Sequence, residues 1–357
     1  MLGDALKDTE KVRYMRRKPL KGVTCIKKIC LLALLCLVLT AWPVMAEGTD
    51  KAPALVEQAH ALMEAGDYEA AVPLLREAAE KGDATGQRLL GNCYFNGLGV
   101  EKDEQEAVKY YRLSAEQGNA PAQFNLGLSY ENGQGVEQDY AKAAEYFKLA
   151  ADQGLDIAQH ELGYLYYLGY GVEQDYEKAF EYYSLSAGQN YAPAQTALGY
   201  MYYLGLGTEQ DYGKMLEYYN LAAEQGEPLA QFNLGCCYRD GEGVEQDYDK
   251  MIQYYQLAVD QGLDIAQYNL GFAYLIGLGV EQDYDKAFQL FQLSAEQEYP
   301  VAMFAYGDCY YLGNGVEKDL ETAKEWSRKA LDAGYEPDET DQQHLAEVLG
   351  EDYAAVK

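Results

Sequence analysis

One octapeptide, Gly133-Gln134-Gly135-Val136-Glu137-Gln138-Asp139-Tyr140, recurs along the chain in variant copies that begin at Gly97, Gly169, Gly205, Gly241, Gly277 and Gly313. Neighbouring copies stand 36 residues apart at every step. A fixed period of this length means that each period holds one supersecondary unit. Such a unit cannot hide its apolar face alone and does so by stacking on its neighbours. A chain of 357 residues would ordinarily divide into two globular domains, but a stack grows along one axis without dividing.

Seven full units span 84–119, 120–155, 156–191, 192–227, 228–263, 264–299 and 300–335. In the unit 120–155, Ala122, Leu126 and Tyr130 fall at i, i+4 and i+8, one stripe of a helix A running from Ala120 to about Glu131. Gly133 and Gly135 suit a loop that needs positive φ. Asp139 then caps a helix B whose packing face is Ala143, Tyr146, Phe147 and Ala150, and Gly154 stands at the C-terminal cap. The last unit departs slightly, with Tyr306 in place of Leu and Trp326 where most units have Tyr. Ahead of these units, residues 47–83 read as a shorter helix pair. There Asp67 is in register with the other caps, but Ala61 and Met63 replace the loop glycines. Behind them, residues 336–357 read as one capping helix, with Leu345, Val348 and Leu349 inward, and a tail. The fold class expected is all-α, a solenoid of about eight helix-pair repeats.

Residues 1–46 differ from the rest. Arg16, Arg17, Lys18, Lys21, Lys27 and Lys28 precede an apolar run from Ile29 to Trp42, and Val44-Met45-Ala46 offers a small-residue cleavage site. This pattern predicts a secretory signal peptide, with translation from Met15 giving a more usual length; an uncleaved anchor is the alternative. The expected location is therefore the periplasm or exterior of a Gram-negative bacterium. The formal net charge is −30, and without residues 1–46 it is −36, from 19 Lys and Arg against 55 Asp and Glu. Such a surface repels phosphate backbones and anionic lipid heads, which argues against nucleic acid and leaves an uncleaved anchor as the sole route to a membrane. It favours solubility and a basic protein or peptide partner.

The 36-residue pattern resembles the Sel-one-like repeat family, a relative of the tetratricopeptide repeats. Ala122, Gln123, Leu126, Gly127, Tyr130, Gly133, Gly135, Val136, Asp139, Lys142 and Ala143 carry the match. It departs at Thr208 for Val, at Met215 and Met251 for Ala, and at Met303 for Gln. The resemblance implies a right-handed α/α superhelix with helix A on the concave face, and a scaffold or adaptor role. Some secreted members carry a Cys pair in each repeat, which this chain lacks. Some have been described as binding or slowly hydrolysing β-lactams. That makes a weak hydrolase of β-lactams or cell-wall fragments one alternative function, and a structural spacer another.

Few residues have the spacing of reaction chemistry. Cys93, Cys237 and Cys309 share one position in the repeat, whose other occupants are Ser129, Leu165, Met201 and Ala273. They read as reduced core thiols, with Cys236 beside them. His60, His160 and His344 have no second His or Cys at metal spacing. No S-x-x-K or G-x-S-x-G is present, and the Gly-x-Gly loops have no Lys to meet a phosphate. No cofactor, metal or catalytic residue is expected.

One pattern remains. On helix A the positions of Phe124, Leu128 and Glu131 share a face and vary between units, whereas the packing positions do not. A repeat must keep its packing residues alike to stack, but its binding surface is free to vary. Tyr supplies large contact area at low entropy cost. We expect Tyr164, Tyr167, Tyr200, Tyr203, Phe232, Arg239, Tyr268 and Phe272 to line a groove for an extended peptide or a helix of a partner protein. The plainer alternative is that they fill the inside of a tight superhelix.

Overall fold

The computed structural model describes residues 52–350. The predicted signal peptide, residues 47–51 and the tail beyond Gly350 lie outside the described residues. Among those described there are seventeen α-helices and no strand. Helices α1 (Ala52–Glu64) and α2 (Tyr68–Glu80) form the N-terminal pair. Seven A/B pairs follow: α3 (Ala84–Asn96) with α4 (Glu104–Glu116), α5 (Ala120–Asn132) with α6 (Tyr140–Ala151), α7 (Asp156–Leu168) with α8 (Tyr176–Gly188), α9 (Ala192–Leu204) with α10 (Tyr212–Glu224), α11 (Pro228–Asp240) with α12 (Tyr248–Asp260), α13 (Asp264–Ile276) with α14 (Tyr284–Glu296), and α15 (Pro300–Leu312) with α16 (Leu320–Asp332). Helix α17 (Glu339–Leu349) ends the series. By packing, the chain divides into two units, one of residues 52–146 with 168–174, the other of 147–167 with 175–350. Each is a stack of helix pairs and is described by itself.

The loop between helices A and B is a closed device repeated in each full pair. In α9 the first loop glycine, Gly205, caps the helix in the left-handed conformation (φ 66°) and donates its N–H to the Met201 carbonyl. Asp211 closes the loop twice over. Its backbone N–H donates to the Tyr202 carbonyl at 3.0 Å, and its side chain accepts from the N–H groups of Gly213 and Lys214. The side chain thereby satisfies orphan donors at the start of α10. Gln210 Nε2 donates to the Tyr203 carbonyl at 2.7 Å, which occupies an acceptor left open at the end of α9. Asp247 and Asp283 repeat the backbone bond and one of the cap bonds, and Gln246 and Gln282 repeat the bond of Gln210.

The second loop glycine has another task. At Gly207 (φ 65°) the chain lies against the Tyr176 carbonyl, the first residue of the preceding helix B, and an added Cβ would overlap that backbone. Gly99 and Gly135 sit in the same way on Tyr68 and Glu104 in the first unit. Gly therefore serves both for its φ and for a contact with no room for a side chain.

Between helices A and B of one pair the core is a glycine set against an aromatic ring. Gly199 faces Tyr219 and Gly235 faces Tyr255, where a Cβ would come within 2.5 Å of the rings. Those rings are 3% and 1% exposed, and burial of each contributes roughly 1.5–3 kcal/mol. A polar ladder runs beside this core. Buried Gln159 donates to the Ala151 carbonyl of the preceding helix B at 3.3 Å and accepts from Gln189 of its own helix B at 2.8 Å. Gln87, with Ala79 and Gln117, repeats it in the first unit. In the last pair both amides are gone together, replaced by Met303 and Ala333. On the other side, Tyr166 and Tyr182 stack with centroids 5.8 Å apart, and Lys178 lies over Tyr166 at 5.1 Å. Tyr202–Tyr218 and Tyr238–Tyr254 repeat this stack under Lys214 and Lys250.

Helix α17 continues helix-A register. His344 stands 36 residues after Asp308, and its Nε2 lies 2.6 Å from Asp308 Oδ1. Phe304 and Tyr311 meet its ring edge-on, at 5.9 and 5.1 Å. Leu345 is fully buried at the register position of Cys309.

Two outcomes follow for stability. Gly226 also has positive φ (84°) but has open space where a Cβ would go, so Gly226→Ala should cost about 1–2 kcal/mol in a urea titration. Gly207→Ala adds the backbone overlap and should cost more than about 3 kcal/mol. Equal losses would show that the Tyr176 contact is not needed. The second concerns pH. The bond to Asp308 raises the His344 pKa, while burial pushes the Asp308 carboxyl up. A histidine raised in the folded state stabilises docking below its unfolded pKa of about 6.5, and this is lost as pH rises through the folded value. The imidazole signal of His344 should accordingly titrate at lower pH in Asp308→Asn. An unchanged titration would exclude the ion pair as its cause.

Candidate functional site

The helix-A residues singled out above all lie in the second unit. They come from α7, α9, α11 and α13, and each helix presents its variable positions one turn apart. Side chains of neighbouring helices A, separated by 30–33 residues, meet along this face. Tyr167 and Tyr200 approach edge-on with centroids 6.5 Å apart, and Tyr200 and Tyr203 lie 6.4 Å apart on one helix. Tyr268 and Phe272 stack at 6.4 Å on α13.

The eight residues differ in how much surface they keep. Tyr167, Tyr203 and Tyr268 are 8–9% exposed, and Tyr200 and Phe232 are 2% exposed. Tyr164, Arg239 and Phe272 are half-buried. Phe232 turns into the core and stacks on Tyr255 at 5.4 Å, so it is a packing residue by position. Tyr167 and Tyr203 lose exposure to a second set of rings. Tyr176 and Tyr212, the first residues of α8 and α10, lie 5.6 and 6.1 Å from them. Tyr268 is closed in by Phe291 and Tyr299, each at 5.7 Å. The face is thus a band of tyrosine edges over a filled interior. Tyr164 and Phe272 are the aromatic members that offer most to a partner.

Acidic groups stud this band. Tyr203 donates its hydroxyl to Glu242 at 2.8 Å, and Arg239 makes a forked ion pair with Asp240 at 3.0 Å while donating to Asn269 at 3.3 Å. His160 Nδ1 is 3.2 Å from Glu161, and its ring contacts Tyr183 and Tyr191. Glu227 caps α11 by accepting from the Ala230 N–H, and Thr196 donates to it at 2.9 Å; burial pushes its carboxyl up. Sequence reasoning missed Glu227, Glu242, Asn269 and the Tyr176 and Tyr212 rings. The last two were visible as a tyrosine following the cap aspartate in five consecutive units, Tyr140 through Tyr284.

The four described cysteines are buried and lie outside any disulfide. Burial pushes Cys93 up to about 11 and Cys309 up to about 12, and Cys236 Sγ lies 3.4 Å from the Tyr255 hydroxyl. Raised in this way, the thiols of Cys93 and Cys309 are held in the protonated form at neutral pH. Among the described residues no three His, Cys, Asp or Glu side chains gather as a metal site would require.

The Sel1 repeat family model matches residues 61–83, 84–119, 120–155, 156–191, 192–227, 228–263, 264–299 and 300–335. Its first match falls inside the N-terminal pair and makes eight in all. Among solved structures, the chain is similar to c5321, a protective antigen present in uropathogenic Escherichia coli strains and displaying an SLR fold. The two share 36% identity over 79% of this chain and 62% of that one, with a TM-score of 0.62. The match thus spans less than two thirds of the antigen's own length. A Sel1 repeat protein from Oxalobacter formigenes shares 31% identity over 89% of this chain and 99% of that one, with a TM-score of 0.61. Curated protein sequences gave no match. Sel1 repeats are commonly scaffolds for protein–protein interaction and are generally non-catalytic. The eight matched repeats, paired helix by helix in the structure, establish that this chain belongs to the Sel1 repeat family.

Proposed function

We propose that the chain is an exported, non-catalytic scaffold that captures a protein or peptide on the helix-A face of its second unit, in the periplasm or outside a Gram-negative cell. The observation that carries this reading is the contrast along helix A. Positions that pack against ring partners stay mostly alike from unit to unit, while those of the tyrosine band vary among the units, with Tyr kept only from Tyr164 to Tyr200 and from Tyr167 to Tyr203. The acidic groups set among the tyrosines, together with the net charge of −30, favour a partner with basic side chains. The basic, apolar and small-residue segments of residues 1–46 support export.

The test is capture from an envelope extract, with the full chain as bait beside a Tyr164→Ala/Phe272→Ala variant. These two rings are only half-buried, so the variant should keep its helicity and melting temperature. Loss of a central aromatic contact costs about 2 kcal/mol or more, so a partner held by the native chain should be lost by the variant and weakened by added salt. A partner held equally by both would move the site to helix B or the loops. An absence of any partner would remove the scaffold reading.

A further inference from the structure

The first unit carries a helix-A face of different character. On α3, Arg88 occupies the position that holds Phe124, His160, Thr196, Phe232, Tyr268 and Phe304 in the other repeats. Other arginines of the chain are provided for: Arg76 and Arg112 donate to the hydroxyls of Tyr94 and Tyr130, and Arg239 forks onto Asp240. Among the described residues nothing accepts from Arg88 and no carboxylate pairs with it. Its Nε is buried without a hydrogen-bond partner. Its terminal nitrogens are also unpartnered but are not buried, so the outer edge of the guanidinium opens to solvent.

The neighbour one turn along adds donors of the same kind. Asn92 follows Arg88 at i+4 and shares its side of the helix. Its Oδ1 accepts from the Tyr111 hydroxyl at 2.8 Å and from Asn125 Nδ2 at 3.0 Å. Two donors on the oxygen fix which way the amide lies, and among the described residues neither N–H group of Nδ2 has an acceptor. Tyr111 is itself 3% exposed and packed on Gly91, so the amide is held on a rigid support. Guanidinium and amide together present only hydrogen-bond donors. The group that completes them is an acceptor with two oxygens and one negative charge. The planar fork of an arginine matches a carboxylate, whereas the strongly acidic chain disfavours a dianion such as phosphate.

We propose that Arg88 and Asn92 form a subsite for a carboxylate, supplied either by the C-terminus of a peptide or by an acidic side chain. The inference concerns the first unit and does not rest on the reading of the tyrosine band. It is tested with the full chain by following the Arg88 Nε–H resonance, identified by its absence in Arg88→Lys. N-acetyl-glycylglycine should shift it saturably and its C-terminal amide should not. The α-amide of N-acetylglutamate, which keeps only the side-chain carboxylate, distinguishes the two sources, and a response to either supports the subsite. Asn92→Asp keeps the acceptor for Tyr111 and Asn125 but supplies a carboxylate from within. It should shift Arg88 without any probe and weaken binding of N-acetyl-glycylglycine by about tenfold or more. Absence of a saturable shift with both carboxylate probes would overturn the proposal. So would an equal response to the amide, or tighter binding of inorganic phosphate. Should Asn92→Asp fail to fold by circular dichroism, the titrations of the native chain alone decide.

Discussion

The architecture depends on one contact between backbones. At Gly99, Gly135, Gly171, Gly207 and Gly315 the second loop glycine of a pair lies on the backbone of the first residue of the preceding helix B, with no side chain between them. Side-chain packing is adjustable by rotamer changes of a few tenths of an ångström, but a backbone-to-backbone seat is not. It sets how far one pair stands from the next, and the glycine–ring core and the glutamine ladder are built to that spacing. The cap aspartate serves the same end. By tying its backbone to helix A and its side chain to helix B, it makes the loop stiff enough to deliver the glycine to its seat.

Much of this was legible in the sequence because it recurs. The helix boundaries, the cap aspartates and the need for positive φ at Gly133 and Gly135 followed from the period and from local backbone chemistry. The division of labour between the two glycines was not legible, since the partner of Gly207 lies 31 residues earlier and nothing local to the loop announces it. In the N-terminal pair Ala61 and Met63, which replace the loop glycines, lie within α1, and only residues 65–67 separate it from α2.

The helix-A face was legible in kind and not in exposure. Variation among units marked a row of positions on helix A, but whether a ring there is open or covered depends on rings from other elements. Phe232 is covered by Tyr255, and Tyr203 is narrowed by Tyr212 and bound by Glu242. Phe272, with the same spacing, stays half-open. The residue that departs most from its neighbours in charge, Arg88, stood in the variable row from the start. What singles it out is the lack of any acceptor around it, and that is a property of the folded chain.

The paired loss of the glutamine ladder at Met303 and Ala333 has an evolutionary reading. The two positions are not equivalent: the helix-A amide is buried, whereas its helix-B partner stands at the surface. If the surface glutamine were lost first, a buried amide oxygen would be left unsatisfied, at a cost of about 1–3 kcal/mol. If the buried one changed first, to a methionine of similar length, the orphaned surface amide would simply be solvated. The two positions, 30 residues apart, are therefore coupled and unequal: replacing the surface glutamine alone strands a buried oxygen, whereas replacing the buried one alone does not.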